Sequence, residues 1–209
     1  MKEIKPTTQD IETGRKIQAL EETAKRGDNP RLAVLSVAEA FLGVREIGTS
    51  NRGYWINKFH KEVGLEPGYP WCLMFIQYVY RIAATMVGVP DILPYNTAST
   101  QSLASWAEKK WLCLDSLTML HPGDLLIWKD GNKSAGHVGM VTHITDRSEN
   151  IEIQTIEGNT SSTKYRDGGL VAVKEYTYER GDLGDARTRG RWLRCVVSFD
   201  RLLDYTSRD

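Results

Sequence analysis

The alternation of apolar and polar residues predicts helices in the first half of the chain and strands in the second. Residues 31–42 and 55–63 carry apolar side chains at helical spacing. Residues 71–84 are apolar on nearly every side, which is typical of a helix buried in a core. A fourth helix is predicted over residues 99–111, where a Ser or Thr can serve as the N-cap.

Strand-like runs begin at residue 125. The predicted strands cover residues 125–128, 137–144, 151–156, 171–173, 175–178 and 193–199. The second and third are joined by a polar turn, so they are expected to form a hairpin. Helices followed by strands, rather than an alternation of the two, indicate an α+β fold with an antiparallel sheet.

The first 30 residues differ from the rest of the chain. They are polar and charged, and their few apolar residues, Ile11, Ile17, Leu20 and Ala24, fit one face of a modest helix. An ordered arm is the alternative. The sequence therefore predicts a polar helix or arm over 1–30 and a main domain over 31–209.

Charge and hydropathy exclude several classes of partner. The chain has 27 basic and 27 acidic side chains, so no net positive field favours nucleic acid or an anionic membrane. No segment approaches the roughly 20 apolar residues that span a bilayer. The N-terminus has no apolar signal-peptide segment. We therefore expect synthesis in the cytoplasm without such a signal.

Three cysteines suggest chemistry rather than cross-linking. Their odd number and irregular spacing do not resemble a disulfide framework or a zinc site. Cys113 and Cys195 are predicted to be buried thiols. Cys72 falls in the first turn of the buried helix, where unpaired N–H groups stabilise a thiolate. Cys72 is therefore the candidate nucleophile.

A nucleophilic cysteine needs a base, which is most often histidine. His137 opens a strand between two glycines, which leave room around the ring for another backbone or a substrate. His143 lies six residues later with the same strand parity and is the rival. A hairpin centred on Arg147 would place Glu157 opposite His137, so that the carboxylate could orient the imidazole.

The register of this hairpin is open at the sequence level. A slip of one residue would move the whole set to the other face of the sheet. A slip of two would place Thr155 or Asn159 opposite His137 instead. Glu157 and Asn159 are therefore both candidates for the third catalytic position.

At these residues the chain resembles a known family, the CHAP domains (cysteine, histidine-dependent amidohydrolase/peptidase). The segments that carry the resemblance occur in the order of the family: Pro70-Trp71-Cys72, Pro122-Gly123-Asp124, Gly136-His137-Val138-Gly139 and Glu157-Gly158-Asn159. The segments Ala40–Glu46 and Asn51-Arg52-Gly53 also look like phage-associated members. The resemblance covers about residues 31–200, whereas residues 1–30 match no part of the family.

The resemblance implies a papain-like fold, in which the nucleophile helix packs against an antiparallel sheet that carries the histidine. It implies cleavage of an amide bond in peptidoglycan through a thioester acyl-enzyme, as an N-acetylmuramoyl-L-alanine amidase or an endopeptidase. Position by position, Cys72 becomes the nucleophile, His137 the base and Glu157 the orienting acid. Asn159 becomes a supporting polar residue or the third member itself.

Some relatives bind calcium through acidic residues before the cysteine. Residues 65–70 supply only Glu66 here, so neither a metal nor another cofactor is expected.

The leading hypothesis is a peptidoglycan hydrolase, either a phage lysin or an antibacterial effector. Its expected partner is the peptidoglycan stem peptide, with an immunity protein added if it is an effector, and we expect a monomer. It would act in the periplasm or at the cell wall after export by a holin or a secretion system. Two alternatives stay open: a papain-like amidase with another substrate, and a non-catalytic phage structural or wall-binding protein.

Overall fold

The computed structural model describes residues 4–48, 50–131, 135–161, 169–180, 183, 187–188 and 191–208. The helices are α1 (Thr8–Thr23), α2 (Pro30–Ala40), α3 (Tyr54–Glu62), α4 (Cys72–Val87), α5 (Thr100–Lys109) and α6 (Phe199–Thr206). The strands are β1 (Leu125–Asp130), β2 (Gly136–Asp146), β3 (Asn150–Thr160), β4 (Leu170–Glu179), β5 (Arg187–Thr188) and β6 (Arg191–Val197). In this described part of the chain, no helix has the length and apolar character needed to cross a membrane.

The strands form one antiparallel sheet in the order β4-β3-β2-β1-β6-β5. The predicted α+β class with an antiparallel sheet is therefore confirmed. Two details differ from the sequence prediction. The two short strands expected within 171–178 are one continuous strand, β4. Phe199, expected to end the last strand, instead begins α6.

Helix α1 is capped at its start and packs against the rest of the protein. Thr7 and Asp10 form a capping box at the start of α1. The Trp55 indole N–H donates to the Asp10 carbonyl oxygen at 3.0 Å, and Ile17 is buried in the core. Helix α1 is thereby held against the helical layer.

The sheet separates two hydrophobic clusters of unequal size. The larger cluster fills the space between the helices and one sheet face, to which Val138, Met140 and Ile156 contribute. The smaller cluster covers the opposite face and includes Trp128 and Tyr178. Because strand side chains alternate between faces, neighbouring residues of β2 belong to different clusters.

The Pro-Gly-Asp turn before β1 has a structural role. Gly123 adopts φ 92, a conformation that favours glycine, and its carbonyl oxygen accepts a hydrogen bond from Tyr80 of α4. The buried Asp124 carboxylate accepts the N–H groups of His121 and Phe199, each at 2.8 Å. The turn therefore connects the starts of β1 and α6 to the nucleophile helix.

Candidate active site

Cys72 is the first residue of α4 and is 7% exposed. The N-cap residue, Trp71, makes no side-chain capping hydrogen bond. The first N–H groups of a helix have no acceptor within the helix, and here no side chain at the cap supplies one. The start of α4 therefore offers free donors and the positive end of the helix dipole to an anion at Cys72.

His137 is the second residue of β2 and is buried. Its Nε2 atom lies 2.8 Å from Oε2 of Glu157. The Cys72 side chain lies beside the imidazole, close enough for its polar interaction to raise the pKa of His137. Since Nε2 is engaged by the carboxylate, Nδ1 is the nitrogen left for the thiol. The structure thus brings together three of the four candidate residues, Cys72, His137 and Glu157.

Glu157 is 1% exposed, and both of its carboxylate oxygens have hydrogen-bond partners. Oε2 faces His137, while Oε1 accepts the hydroxyl groups of Thr155 at 2.8 Å and Tyr176 at 2.6 Å. Burial by itself raises the pKa of Glu157. The hydrogen bond and charge of His137, followed by the two hydroxyl donors, outweigh burial and lower the pKa below its ordinary value of 4.5. Glu157 is therefore a carboxylate at neutral pH.

The imidazole is correspondingly held in its charged form. Burial by itself lowers the pKa of His137, because it disfavours the imidazolium. Hydrogen bonds with Cys72 and Glu157, together with the charges of those groups, raise the pKa from 6.5 to about 10. The resting site therefore contains a buried imidazolium paired with a carboxylate, and its proton is available for transfer.

This protonation state can be measured directly. We expect ¹⁵N NMR to show both ring nitrogens of His137 protonated at pH 8, with the transition to neutral imidazole near pH 10. The His137→Gln variant identifies the signal by its absence. A neutral His137 ring at pH 8 would show that the ion pair is absent.

The hairpin register centred on Arg147 is wrong, and the register slipped by two residues, which the sequence left open, is the one found near His137. Arg147 and Asn150 close a two-residue connection, and Val141 lies opposite Thr155 rather than Ile153. This pairing lies beyond a β-bulge between Val141 and His143, across which the register changes by one residue. By this count Asn159, and not Glu157, falls in the row of His137. Glu157 still reaches the imidazole, because a long side chain spans the diagonal between neighbouring rows.

The bulge also separates the two candidate histidines. It breaks the parity that His137 and His143 share in the sequence. His137 is buried beside Glu157, whereas His143 is exposed, pairs with Gln154 and contacts Thr145 at 3.4 Å.

Asn159 has an unusual backbone. Its φ is 52, and it lies at an irregularity in the pairing of β3 with β4. Asparagine tolerates this left-handed conformation better than most residues. Among the described residues, no hydrogen bond joins the Asn159 side chain to His137. Its assignment as the third catalytic member stays a prediction. Its second role is to supply the left-handed backbone conformation at this irregularity of β3.

A pair of substitutions separates these roles. Asn159→Gly keeps the left-handed conformation and removes the side chain, whereas Asn159→Ala removes the side chain and strains the backbone. We expect Asn159→Gly to retain at least about half of wild-type kcat/KM, and Asn159→Ala to lose about 10-fold. Equal, severe losses in both would instead assign a chemical role to the amide.

The two glycines beside His137 make room for the site. A Cβ on Gly139 would lie 2.9 Å from Cγ of Glu157, so any larger residue would displace the acid. A Cβ on Gly136 would collide with the carbonyl oxygen of Trp128 and the side chain of Gln101 on α5. The space that the two glycines leave is therefore filled by other parts of the protein: by Trp128 and Gln101 at Gly136, and by Glu157 at Gly139.

The sequence assigned no supporting role to Trp128, Thr155 or Tyr176. Trp128 stacks on His137, with ring centroids 5.9 Å apart and an interplanar angle of 24°. Thr155 could have been found, since it precedes Glu157 by two residues and so shares its face. Tyr176 carries no such signal, because its position depends on the register of β3 with β4.

Comparison with known proteins gives one match. Residues 64–159 match the family model described as CHAP domain. This segment contains Cys72, His137, Glu157 and Asn159 and ends before β4. Neither a search of curated proteins nor a search of solved structures found a significant match.

Proposed function

We propose that this protein hydrolyses an amide bond of peptidoglycan, because residues 64–159 match the CHAP domain model and such domains are generally cysteine- and histidine-dependent amidohydrolases or peptidases. The observation that carries the proposal is the buried contact of Cys72 with His137 and of His137 with Glu157. We take 31–209 as the catalytic unit, with the peptidoglycan stem peptide as its substrate.

In the proposed reaction the Cys72 thiolate attacks the carbonyl carbon of the scissile amide. The negative charge that develops on the carbonyl oxygen is stabilised by N–H groups at the start of α4. His137 gives its proton to the amide nitrogen as the C–N bond breaks, so the amine leaves and a thioester remains. Glu157 holds the ring throughout.

The second half returns the enzyme to its starting state. His137, now neutral, takes a proton from a water molecule whose oxygen attacks the thioester carbon. The C–S bond breaks, the carboxylic acid product leaves, and the Cys72 thiolate again faces an imidazolium. One water is consumed per amide bond, and no metal ion or redox step is needed by this chemistry.

Mass spectrometry of digested sacculi tests the proposal. We expect soluble fragments with one new amine and one new carboxyl group per cleavage, and none with Cys72→Ala. A free N-terminal L-alanine would identify an amidase, whereas a new end within the stem or cross-bridge would identify an endopeptidase. Binding to sacculi without any product would favour the non-catalytic wall-binding alternative. If the protein neither binds sacculi nor releases products, while Cys72 still reacts with a thiol reagent, another amide substrate is favoured.

A further inference from the structure

A strand outside the matched family segment completes the site. Tyr176 lies on β4, which begins at Leu170, after the match ends at residue 159. Its hydroxyl group donates to Oε1 of Glu157 at 2.6 Å. The second donor to that oxygen, Thr155, lies on β3 at 2.8 Å. With Glu157 1% exposed, water has little access to replace either donor.

Tyr176 also contacts Trp128, the residue that stacks on the base His137. Its ring centroid lies 4.9 Å from that of Trp128, whose indole stacks on His137. The Trp128 indole N–H donates to the hydroxyl of Tyr178 at 2.8 Å, which fixes the rotation of the indole. One tyrosine thus touches both the acid and the ring against which the base is held.

We propose that Tyr176, together with Thr155, is a positioning residue that holds the Glu157 carboxylate in the orientation in which it meets His137. Neither residue touches the reacting atoms; each acts through the acid. The inference rests on the proposed function, because it assigns a purpose to the pairing of Glu157 with His137. It also places part of the catalytic machinery beyond the segment by which the family is recognised.

The physical argument concerns the second oxygen of the carboxylate. Two hydroxyl donors stabilise the negative charge of a buried carboxylate, and losing one leaves a buried acceptor less satisfied. The same two donors fix the rotation of the carboxylate. Without one of them Oε2 can turn away from Nε2, so the hydrogen bond and ion pair that keep His137 protonated weaken. Among the described residues, the other titratable groups that face His137 or Glu157 are Cys72 on α4 and Tyr178 on β4, and a substitution at Tyr176 leaves both side chains in place.

The decisive variant is Tyr176→Phe, which removes one oxygen atom and retains the ring. We expect the pH at which His137 loses its proton to fall by about one unit, as measured by ¹⁵N NMR. We expect kcat on sacculi to fall about 10-fold, with KM within about twofold, because the acid acts on the reaction rather than on binding. A purely structural role would lower stability without moving the His137 titration.

Matched variants complete the test. Tyr205→Phe, the same change on α6, is expected to leave both readouts at wild-type values. Thr155→Val removes the other donor and should shift the titration in the same direction, whereas Thr155→Ser keeps a hydroxyl and should restore it. If Tyr176→Phe fails to fold, the Thr155 pair decides the question by the same criteria.

The outcomes distinguish this inference from the proposed function. An unshifted His137 titration in both Tyr176→Phe and Thr155→Val, with a raised wild-type value, overturns the positioning role alone. A wild-type His137 that titrates near its ordinary value likewise overturns the positioning role, whereas a Cys72→Ala variant that still releases products overturns the proposed function. A parallel loss of titration shift and kcat supports both.

Discussion

Cys72→Ala is expected to abolish the release of new amines from purified sacculi, a loss of at least about 10³-fold. In the proposed mechanism the sulfur forms the covalent bond to the acyl group, and alanine has no atom that can replace it. The fold is expected to survive, since Cys72 contributes only a small buried side chain to the start of α4. Circular dichroism and the urea unfolding midpoint would check this.

Cys113 provides the matched control for this substitution. Its hydrogen bond with Cys195 lowers the pKa of the Cys113 thiol, and its side chain is half-buried, so it is the competing reactive thiol. Cys113→Ser should retain full activity. In that background, iodoacetamide should modify Cys72 much faster than Cys195. Full activity in Cys72→Ala, or loss of activity in Cys113→Ser, would disprove the assignment of the nucleophile.

His137→Gln is expected to lower kcat by about 10³-fold or more, whereas His143→Gln should stay within about twofold of wild type. Glutamine preserves a donor for Glu157, so the buried carboxylate keeps a partner. His137→Ala would leave that charge unpaired and would combine a chemical defect with a stability defect. Comparing His137→Gln with His143→Gln therefore measures the loss of proton transfer without leaving Glu157 unpaired.

The structural reason is the bulge between the two histidines. His137 lies between Cys72 and Glu157, while His143 is exposed near the hairpin turn. Turnover on sacculi measured at a saturating concentration would compare the two variants. An active His137→Gln together with an inactive His143→Gln would move the base to the other end of β2.

Much of the fold was predictable because burial imposes regular periods. Helix α4 is apolar on most sides and was located to within a few residues. The sequence predicts two short strands in place of β4 because the burial of β4 does not follow its apolar residues. Val173 is 40% exposed, whereas Lys174 is partly buried and donates to the carbonyl oxygen of Ser161. Helix α6 was missed although Ser198 caps it by accepting from the N–H of Arg201.

The chemistry of the site was more predictable than its geometry. Residue types and spacing indicated Cys72 and His137 and left Glu157 and Asn159 as alternatives for the third position; the structure brings Cys72, His137 and Glu157 together. The cross-strand register was not predictable, because a two-residue turn and a bulge depend on backbone hydrogen bonds that side-chain alternation does not reveal. Tyr176 was missed for the same reason.

The strand order has a consequence for fragments of this protein. The matched segment, residues 64–159, contains β1, β2 and nearly all of β3, which are the central strands of the sheet. Their outer neighbours, β4 and β6, follow the segment, and α2, which packs on α4, precedes it. Cutting the gene at the family boundaries would therefore leave two long strand edges with unpaired backbone groups, a template for aggregation into insoluble material. A soluble catalytic fragment has to extend through β6.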